Sequence, residues 1–195
     1  MGKYTPNDEK SGSGNWFKMT SLDDGPVRVT FLGDSGTGFG EVTGYECWKK
    51  DGKPMRRQTL AELLEDKPAE GWRVEKGEED RPKFFVARCG YNHSAKKVHT
   101  FLFAQKTIRQ QLESLVENTE DFGDLSEYDV ILSRKSEGSG ENKKVTYSVQ
   151  GVQRKKPIAP EILAEWKRIT EECIGLPAIF NDGDPLAPFS EATPF

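Results

Sequence analysis

The chain has 195 residues, 34% of them hydrophobic and 31% charged, with a formal net charge of −4 at pH 7. This length suits one sizeable domain with appendages and is short for two full domains. No apolar run approaches the roughly 18 residues of a membrane-spanning helix, and the first residues lack the apolar core of a signal peptide. Three widely spaced cysteines do not make a disulfide framework, so we expect a cytoplasmic protein.

The charges are unevenly distributed along the chain. Bases outnumber acids between Lys83 and Lys156, and the stretch CWKKDGKPMRR holds five bases and one acid. From Glu161 onward the acids dominate. A basic middle and an acidic end are compatible with a nucleic-acid partner in spite of the negative total, because the local distribution decides such binding.

Six strands are predicted in chain order from alternating apolar residues and from β-branched and aromatic enrichment. They fall at 26–34, 41–50, 83–91, 97–105, 128–135 and 144–152. The strongest hairpin joins the third and fourth strands through NHSAK, and the fifth and sixth flank the loop SEGSGEN.

Three helices are predicted between and after these strands. A short one lies at 59–66 within a polar insertion, and amphipathic spacing predicts longer ones at 106–120 and 159–175. The last helix has Pro160 near its start and Gly175 at its end. Residues 1–14 are polar and rich in Gly and Ser, which predicts disorder, and residues 176–195 are predicted to be a flexible acidic tail.

The order of these elements predicts a mainly β fold for residues 15–175. Six short strands with one helix between the fourth and the fifth do not fit an alternating parallel βαβ sheet. They favour an OB-fold, a five- to six-stranded antiparallel Greek-key barrel with an inserted helix and a C-terminal helix.

Enzyme and metal signatures are weak. The stretch GDSGTGFG is interpreted as a turn between strands, and two histidines give little material for a catalytic triad. Cys89 and His93 supply only half of a zinc site, so we expect no metal or cofactor, with Cys47 and Cys89 as core residues. A metal-dependent nuclease using Asp34 and Glu41 remains an alternative, although their spacing does not indicate that they converge.

Basic and aromatic residues alternate in three stretches of the chain. Single-stranded nucleic acid is held by cations on its phosphates and by flat side chains on which bases stack. The predicted stacking residues are Trp48, Phe84, Tyr91, Phe101 and Tyr147. The predicted phosphate ligands are Lys49, Lys50, Arg56, Arg57, Arg88, Lys96, Lys97, Arg134, Lys143 and Lys144. The alternative interpretation is that these aromatics fill the core and the lysines only solvate the surface.

The chain resembles bacteriophage single-stranded DNA-binding proteins of the OB-fold type. The resemblance runs from DGPVRVTFLGD to YDVILSRKSEGSGENKKVTYSV and covers about two thirds of the chain. It implies non-catalytic coating of single strands during DNA replication, recombination or repair, as a homo-oligomer or by cooperative assembly on DNA. It also implies that the tail recruits partner proteins through Asp182, Asp184, Pro194 and Phe195. The acids of this tail are sparser than in the family's pattern and are interrupted by prolines.

We therefore expect a non-catalytic protein that binds single-stranded DNA in a basic groove. The alternative is an OB-like protein-interaction module of a replication or recombination complex. The sequence does not distinguish DNA from RNA, although signatures of RNA-specific modules are absent.

Overall fold

The structure is a computed structural model that describes residues 14–33, 38–138 and 144–189. The strands in these ranges are Val27–Leu32 (β1), Val42–Trp48 (β2), Pro54–Arg57 (β3), Val74–Glu75 (β4), Glu78–Glu79 (β5), Lys83–Asn92 (β6), Lys97–Phe103 (β7), Asp129–Glu137 (β8) and Lys144–Val152 (β9). The α-helices are Leu60–Glu65 (α1), Lys106–Glu117 (α2) and Pro160–Glu172 (α3), and 3₁₀ helices span Met19–Asp24 and Leu176–Asn181. The predicted mainly β class is confirmed. No helix in the described ranges is long and apolar enough to cross a membrane.

The main sheet has seven antiparallel strands, and β6 lies at its centre. The path of paired strands is β3-β2-β6-β1-β8-β9, with β7 on the other edge of β6. One edge of β6 pairs first with β2, as at Phe85 and Gly44, and then with β1, as at Cys89 and Leu32. Across the other edge Cys89 pairs with Thr100 of β7. The small strands β4 and β5 form a separate hairpin.

The sheet does not close into a barrel among the described residues, because β7 and β9 do not pair. Helix α2 packs against both strands at this gap. Its Gln111 side chain donates to the Tyr147 carbonyl at 3.2 Å and accepts from the Val149 N–H at 2.9 Å. A side-chain amide thus satisfies backbone groups that a neighbouring strand would otherwise satisfy.

The two faces of the sheet bury two separate cores. The inner core, under α2, contains Phe31, Phe101 and Phe103 with other residues of β1, β7 and β8. The outer core, under α3, contains Phe85 and Cys89 of β6. Successive side chains of β6 and β7 thus alternate between the two cores, as expected of strands covered on both faces.

The C-terminal segment is part of this fold as far as residue 189. Leu176 and Ile179 are fully buried in the outer core, and Leu186 is buried beside them. Cys173 and Pro188 form an isolated β-bridge that returns the segment to the end of α3. The prediction of a flexible tail from residue 176 is therefore wrong for residues 176–189.

The insertion between β3 and β6 contains the predicted short helix. Thr59 and Glu62 form a capping box at the start of α1. Leu63 and Trp72 pack with Cys47 in a third, smaller core cluster. The insertion is therefore anchored to β2 by its own apolar contacts, although much of its surface is polar.

Candidate nucleic-acid interface

The β2–β3 hairpin brings one predicted stacking residue close to two exposed lysines. Trp48 is half-buried at the end of β2, and the guanidinium carbon of Arg73 lies 5.1 Å from the centroid of its ring. Lys50 and Lys53 are exposed in the turn that follows. Neither forms an ion pair with another residue of the described chain, so both charges face solvent.

Lys49 and Arg57 bind the C-terminal segment. The Lys49 ammonium lies 3.8 Å from a carboxylate oxygen of Asp182. Arg57 donates to the Phe180 carbonyl at 3.0 Å and to Asp66 at 2.5 Å. These contacts hold the segment against the hairpin, and they occupy two side chains predicted to bind phosphate.

Three other predicted phosphate ligands are also paired within the protein. The pairs are Arg56 with Glu46 at 3.2 Å, Arg88 with Glu41 at 2.7 Å, and Arg134 with Asp23. Glu46 is only 5% exposed, so its partner Arg56 cannot leave without uncovering a buried charge. Glu41 is exposed, and an ion pair of this kind contributes little enough to exchange for a phosphate.

Phe84 and Tyr147 lie in surroundings that resemble those of Trp48. Both rings are half-buried. The guanidinium carbon of Arg109 is 4.9 Å from the centroid of Phe84, and that of Arg134 is 5.9 Å from the centroid of Tyr147. Tyr45 meets the Phe84 ring edge-on at 5.4 Å. Three predicted stacking residues thus each carry an arginine over the ring, and we call Trp48, Phe84 and Tyr147 the arginine-covered rings. Trp16, which was not predicted to stack, has the same geometry, with the guanidinium carbon of Arg56 at 5.0 Å from its centroid.

Phe101 is not available to any ligand. Its side chain is 0% exposed and stacks on Phe17 with ring centroids 4.6 Å apart. The prediction that bases stack on Phe101 is wrong, because inner and outer cores cover both faces of β7. Tyr91, on β6, is half-buried against the outer core and meets His93 edge-on at 5.2 Å.

The remaining predicted phosphate ligands are lysines without ion-pair partners among the described residues. Lys50 and Lys144 are exposed at opposite ends of the sheet path, on the β2–β3 turn and at the start of β9. Lys96 is exposed in the β6–β7 turn, and Lys97 beside it is half-buried. Lys143 lies outside the described residues. The structure therefore distributes these charges over several turns rather than along one strand.

The predicted partner-binding acids are held within the fold. Asp182 pairs with Lys49, and the Asn15 side-chain amide donates to Asp184 at 3.0 Å. Pro194 and Phe195 lie outside the described residues. Both acids therefore belong to the folded part of the chain.

The cysteines are buried free thiols, and burial raises the pKa of Cys47 to about 11 and that of Cys89 to about 12. Cys47 and Cys89 belong to different core clusters. No group of three or more metal-ligating side chains occurs in the described ranges. Asp34 lies outside them, and Glu41 is paired with Arg88.

Sequence reasoning missed two of the arginines that cover the rings, whereas Arg134 was predicted as a phosphate ligand and lies opposite Tyr147 in the β8–β9 hairpin. Arg73 lies in the insertion and Arg109 on α2, far in sequence from Trp48 and Phe84. Nothing in the local pattern links these pairs, because they form only when the insertion and α2 pack beside the sheet.

No protein-family model, no curated protein and no solved structure matches this chain.

Proposed function

We propose that the chain binds and protects single-stranded DNA without catalysis, in replication, recombination or repair, as bacteriophage single-stranded DNA-binding proteins do. Bases would stack on the arginine-covered rings, and lysines in the turns would neutralise phosphates. Pro194 and Phe195 would recruit partner proteins.

The strand order supports assignment of the sheet to the OB-fold. A Greek key places four consecutive strands in the spatial order 4-1-2-3. Strands β8, β1, β6 and β7 lie in that order when β2 to β5 are treated as an insertion. Strand β9 adds the fifth member, and α2 lies between β7 and β8 in sequence. A partly open five-stranded Greek-key barrel is the OB architecture, which commonly binds oligonucleotides.

The observation that carries the proposal is the set of three arginine-covered rings. A guanidinium over an aromatic face contributes about 0.5–1 kcal/mol at an exposed site and about 2 kcal/mol when it is desolvated. A base that stacks on the same face contributes about 1–3 kcal/mol. A base that replaces the arginine must also outweigh the ion pairs of Arg73 with Glu75 and of Arg134 with Asp23. The displaced guanidinium would then exchange its carboxylate partner for the adjoining phosphate.

Leucine substitutions at two of the rings test this exchange. Phe84→Leu and Tyr147→Leu keep an apolar side chain in place but remove the flat face. We expect each to weaken binding of an oligothymidine by about 1–3 kcal/mol in a fluorescence titration. The matched control is Phe122→Leu, because Phe122 is also half-buried but has no arginine within cation–π distance among the described residues. Wild-type affinity in both ring variants would contradict the stacking role.

A protein-interaction module is the second candidate, and one observation favours it. Leu60 and Leu64 on α1 are 39% and 51% exposed, and Val74 nearby in the insertion is 57% exposed. Apolar side chains exposed together are a feature of protein-binding surfaces. This alternative predicts no response to oligonucleotides even at low salt.

A further inference from the structure

A cleft of about 390 Å³ lies where the start of β1, the β6–β7 turn and residues 152–159 meet. We call it the Arg28 cleft. Arg28, His93, Asp129 and Arg154 line its polar side, and the His93 N–H donates to the Arg28 carbonyl at 3.1 Å, which ties the turn to β1. None of these residues belongs to the set proposed to hold single-stranded DNA.

Asp129 organises the polar side of the Arg28 cleft. Its side chain is buried, and it accepts from Arg28 Nε at 2.7 Å and from Thr30 Oγ1 at 2.7 Å. Arg154 Nε lies 3.2 Å from Oδ1 of the same Asp129 carboxylate. The buried carboxylate thus fixes Arg28 by hydrogen bonding, whereas Arg154 is held by backbone carbonyls, including that of Tyr128 at 3.1 Å. The single negative charge of Asp129 neutralises only one of the two guanidinium groups. The Nη1 group of Arg28 has no hydrogen-bond partner among the described residues, and 46% of the Arg28 side chain is exposed.

His93 contributes a neutral ring to the cleft. Thr30 Oγ1 has a single proton, which it donates to Asp129, so the contact of 2.8 Å from His93 Nε2 to this oxygen requires a proton on Nε2. Burial, with Arg28 and Arg154 nearby, lowers the pKa of His93 against the opposing effect of Asp129. At neutral pH the Nδ1 atom therefore carries a lone pair, and the ring adds no charge.

Two further lysines and a helix end complete the lining. Lys155 and Lys156 are exposed at the rim and form no ion pair with another residue in the described ranges. Ala159, the N-cap residue of α3, also lines the cleft and provides no side-chain cap. Pro160 has no N–H, and the Ile162 and Leu163 N–H groups already donate to the Ala159 carbonyl, so this helix end adds its dipole rather than several free donors.

The charges of the lining leave a clear excess of positive charge. Arg28, Arg154, Lys155 and Lys156 supply four cations, and Asp129 supplies one anion. The apolar wall formed by Val152, Pro157 and Ile158 leaves room for more than a single small ion. Guanidinium forks and ammonium groups are groups that bind phosphate in proteins.

We propose that the Arg28 cleft binds a phosphate group carrying two or more negative charges, as in pyrophosphate or the terminal phosphate of a nucleotide or DNA strand. Arg28 and the two lysines contact the phosphate oxygens, and Asp129 is a positioning residue for Arg28. The site does not depend on the proposed stacking function, because the two use different residues.

Imidazole NMR spectra test this site with an internal reference, because His93 and His99 are the only histidines of the chain. Titration with pyrophosphate should shift the His93 signals saturably and leave those of His99, which is 7% exposed, unchanged. The double variant Lys155→Gln and Lys156→Gln should weaken this binding about tenfold or more. Lys167→Gln, an exposed change on α3 outside the cleft, is the matched control and should have no effect.

Two outcomes overturn the proposal. The first is an unchanged His93 spectrum at millimolar pyrophosphate, and the second is wild-type affinity in the double lysine variant. The lysines are used because both are exposed, whereas Arg28→Gln leaves Asp129 without its main partner and threatens the fold. If the protein responds to pyrophosphate but not to oligothymidine, that result contradicts only the stacking function.

Competition with oligothymidine identifies the source of the phosphate. If only a 5′-phosphorylated oligomer displaces pyrophosphate, the ligand is the end of a DNA strand. If neither oligomer displaces it, the ligand is a small phosphate-containing molecule. Equal displacement by phosphorylated and unphosphorylated oligomers would show that a singly charged phosphodiester suffices, which contradicts the proposed requirement for a doubly charged group.

Discussion

His99 is the residue in which burial and ionisation conflict most directly. It lies on β7 against Phe17 and Phe101 and is 7% exposed. Burial, with Lys97 close by, lowers its pKa to about 4. In the unfolded chain its pKa is near the ordinary value of about 6.5, so the unfolded state takes up a proton first as the pH falls. The folded state is therefore favoured fully above about pH 6.5 and loses stability from there down to about pH 4.

This shift predicts a pH-dependent stability. Between about pH 7.5 and pH 5 we expect the free energy of unfolding in urea to fall by about 2 kcal/mol because of His99. His99→Phe removes the titrating group and keeps a ring among aromatic neighbours, so its stability should fall less over the same range. His93 shifts in the same direction and leaves a smaller dependence in the variant. Parallel pH profiles for the two proteins would contradict a buried neutral His99.

At the scale of elements, the C-terminal 3₁₀ helix Leu176–Asn181 is what closes the outer core. It follows α3 and places Ile179 against the outer face of β6, where Phe85 meets Phe180 with ring centroids 6.2 Å apart. Gly44 of β2 has no side chain at this contact, and a Cβ there would come within 2.7 Å of the Phe180 ring. The close approach of segment and sheet therefore depends on glycine at this position.

Ile179→Ala tests whether the segment is structural. Ile179 is 0% exposed, and truncation of a buried isoleucine to alanine typically lowers the free energy of unfolding by about 2–5 kcal/mol. Leu163→Ala is the control, because Leu163 on neighbouring α3 is 48% exposed and should change stability by about 0.5 kcal/mol or less. Equal, small effects in denaturant unfolding would restore the flexible-tail interpretation.

The sequence is a good guide to elements that have a regular apolar period. Strands β6 and β7 and helices α2 and α3 are predicted close to their observed positions, because alternating or helical spacing records which face is buried. Residues 176–189 have no such period, since Leu176, Ile179 and Leu186 are separated by prolines and turns. Their burial depends on a tertiary surface that local pattern does not encode.

The candidate site was less predictable than the fold for a related reason. The pairing of Arg88 with Phe101 places Phe84 and Phe101 on one face of β6 and β7, but the sequence does not show that this face is covered over Phe101 and only half-covered at Phe84. Phe17 and the rest of the inner core cover Phe101, whereas Phe84 lies at the rim of the sheet with only Arg109 over its ring. The partners Arg73 and Arg109 approach from distant elements, so no local spacing indicates them.

At the scale of the whole molecule, a net charge of −4 coexists with lysines that lack internal partners. Acids neutralise much of the positive charge inside the fold, through pairs such as Arg56 with Glu46 and Lys49 with Asp182. The unpaired charges are concentrated in turns and at strand ends. Binding to a single strand would then depend on few phosphate contacts and should be moderate and salt-sensitive.

The measurement that tests the central claim most directly is the quenching of tryptophan fluorescence by oligothymidine as salt is varied. We expect quenching in the unmodified protein and in Trp166→Phe, and its loss in Trp48→Phe, because Trp48 is the proposed stacking residue. Four unpaired lysines (Lys50, Lys96, Lys97 and Lys144) predict that log K falls with log salt at a slope of about −3. Double-stranded DNA should compete poorly. Absence of quenching at low salt, or quenching that survives in Trp48→Phe with no dependence on salt, would contradict single-stranded DNA binding as proposed.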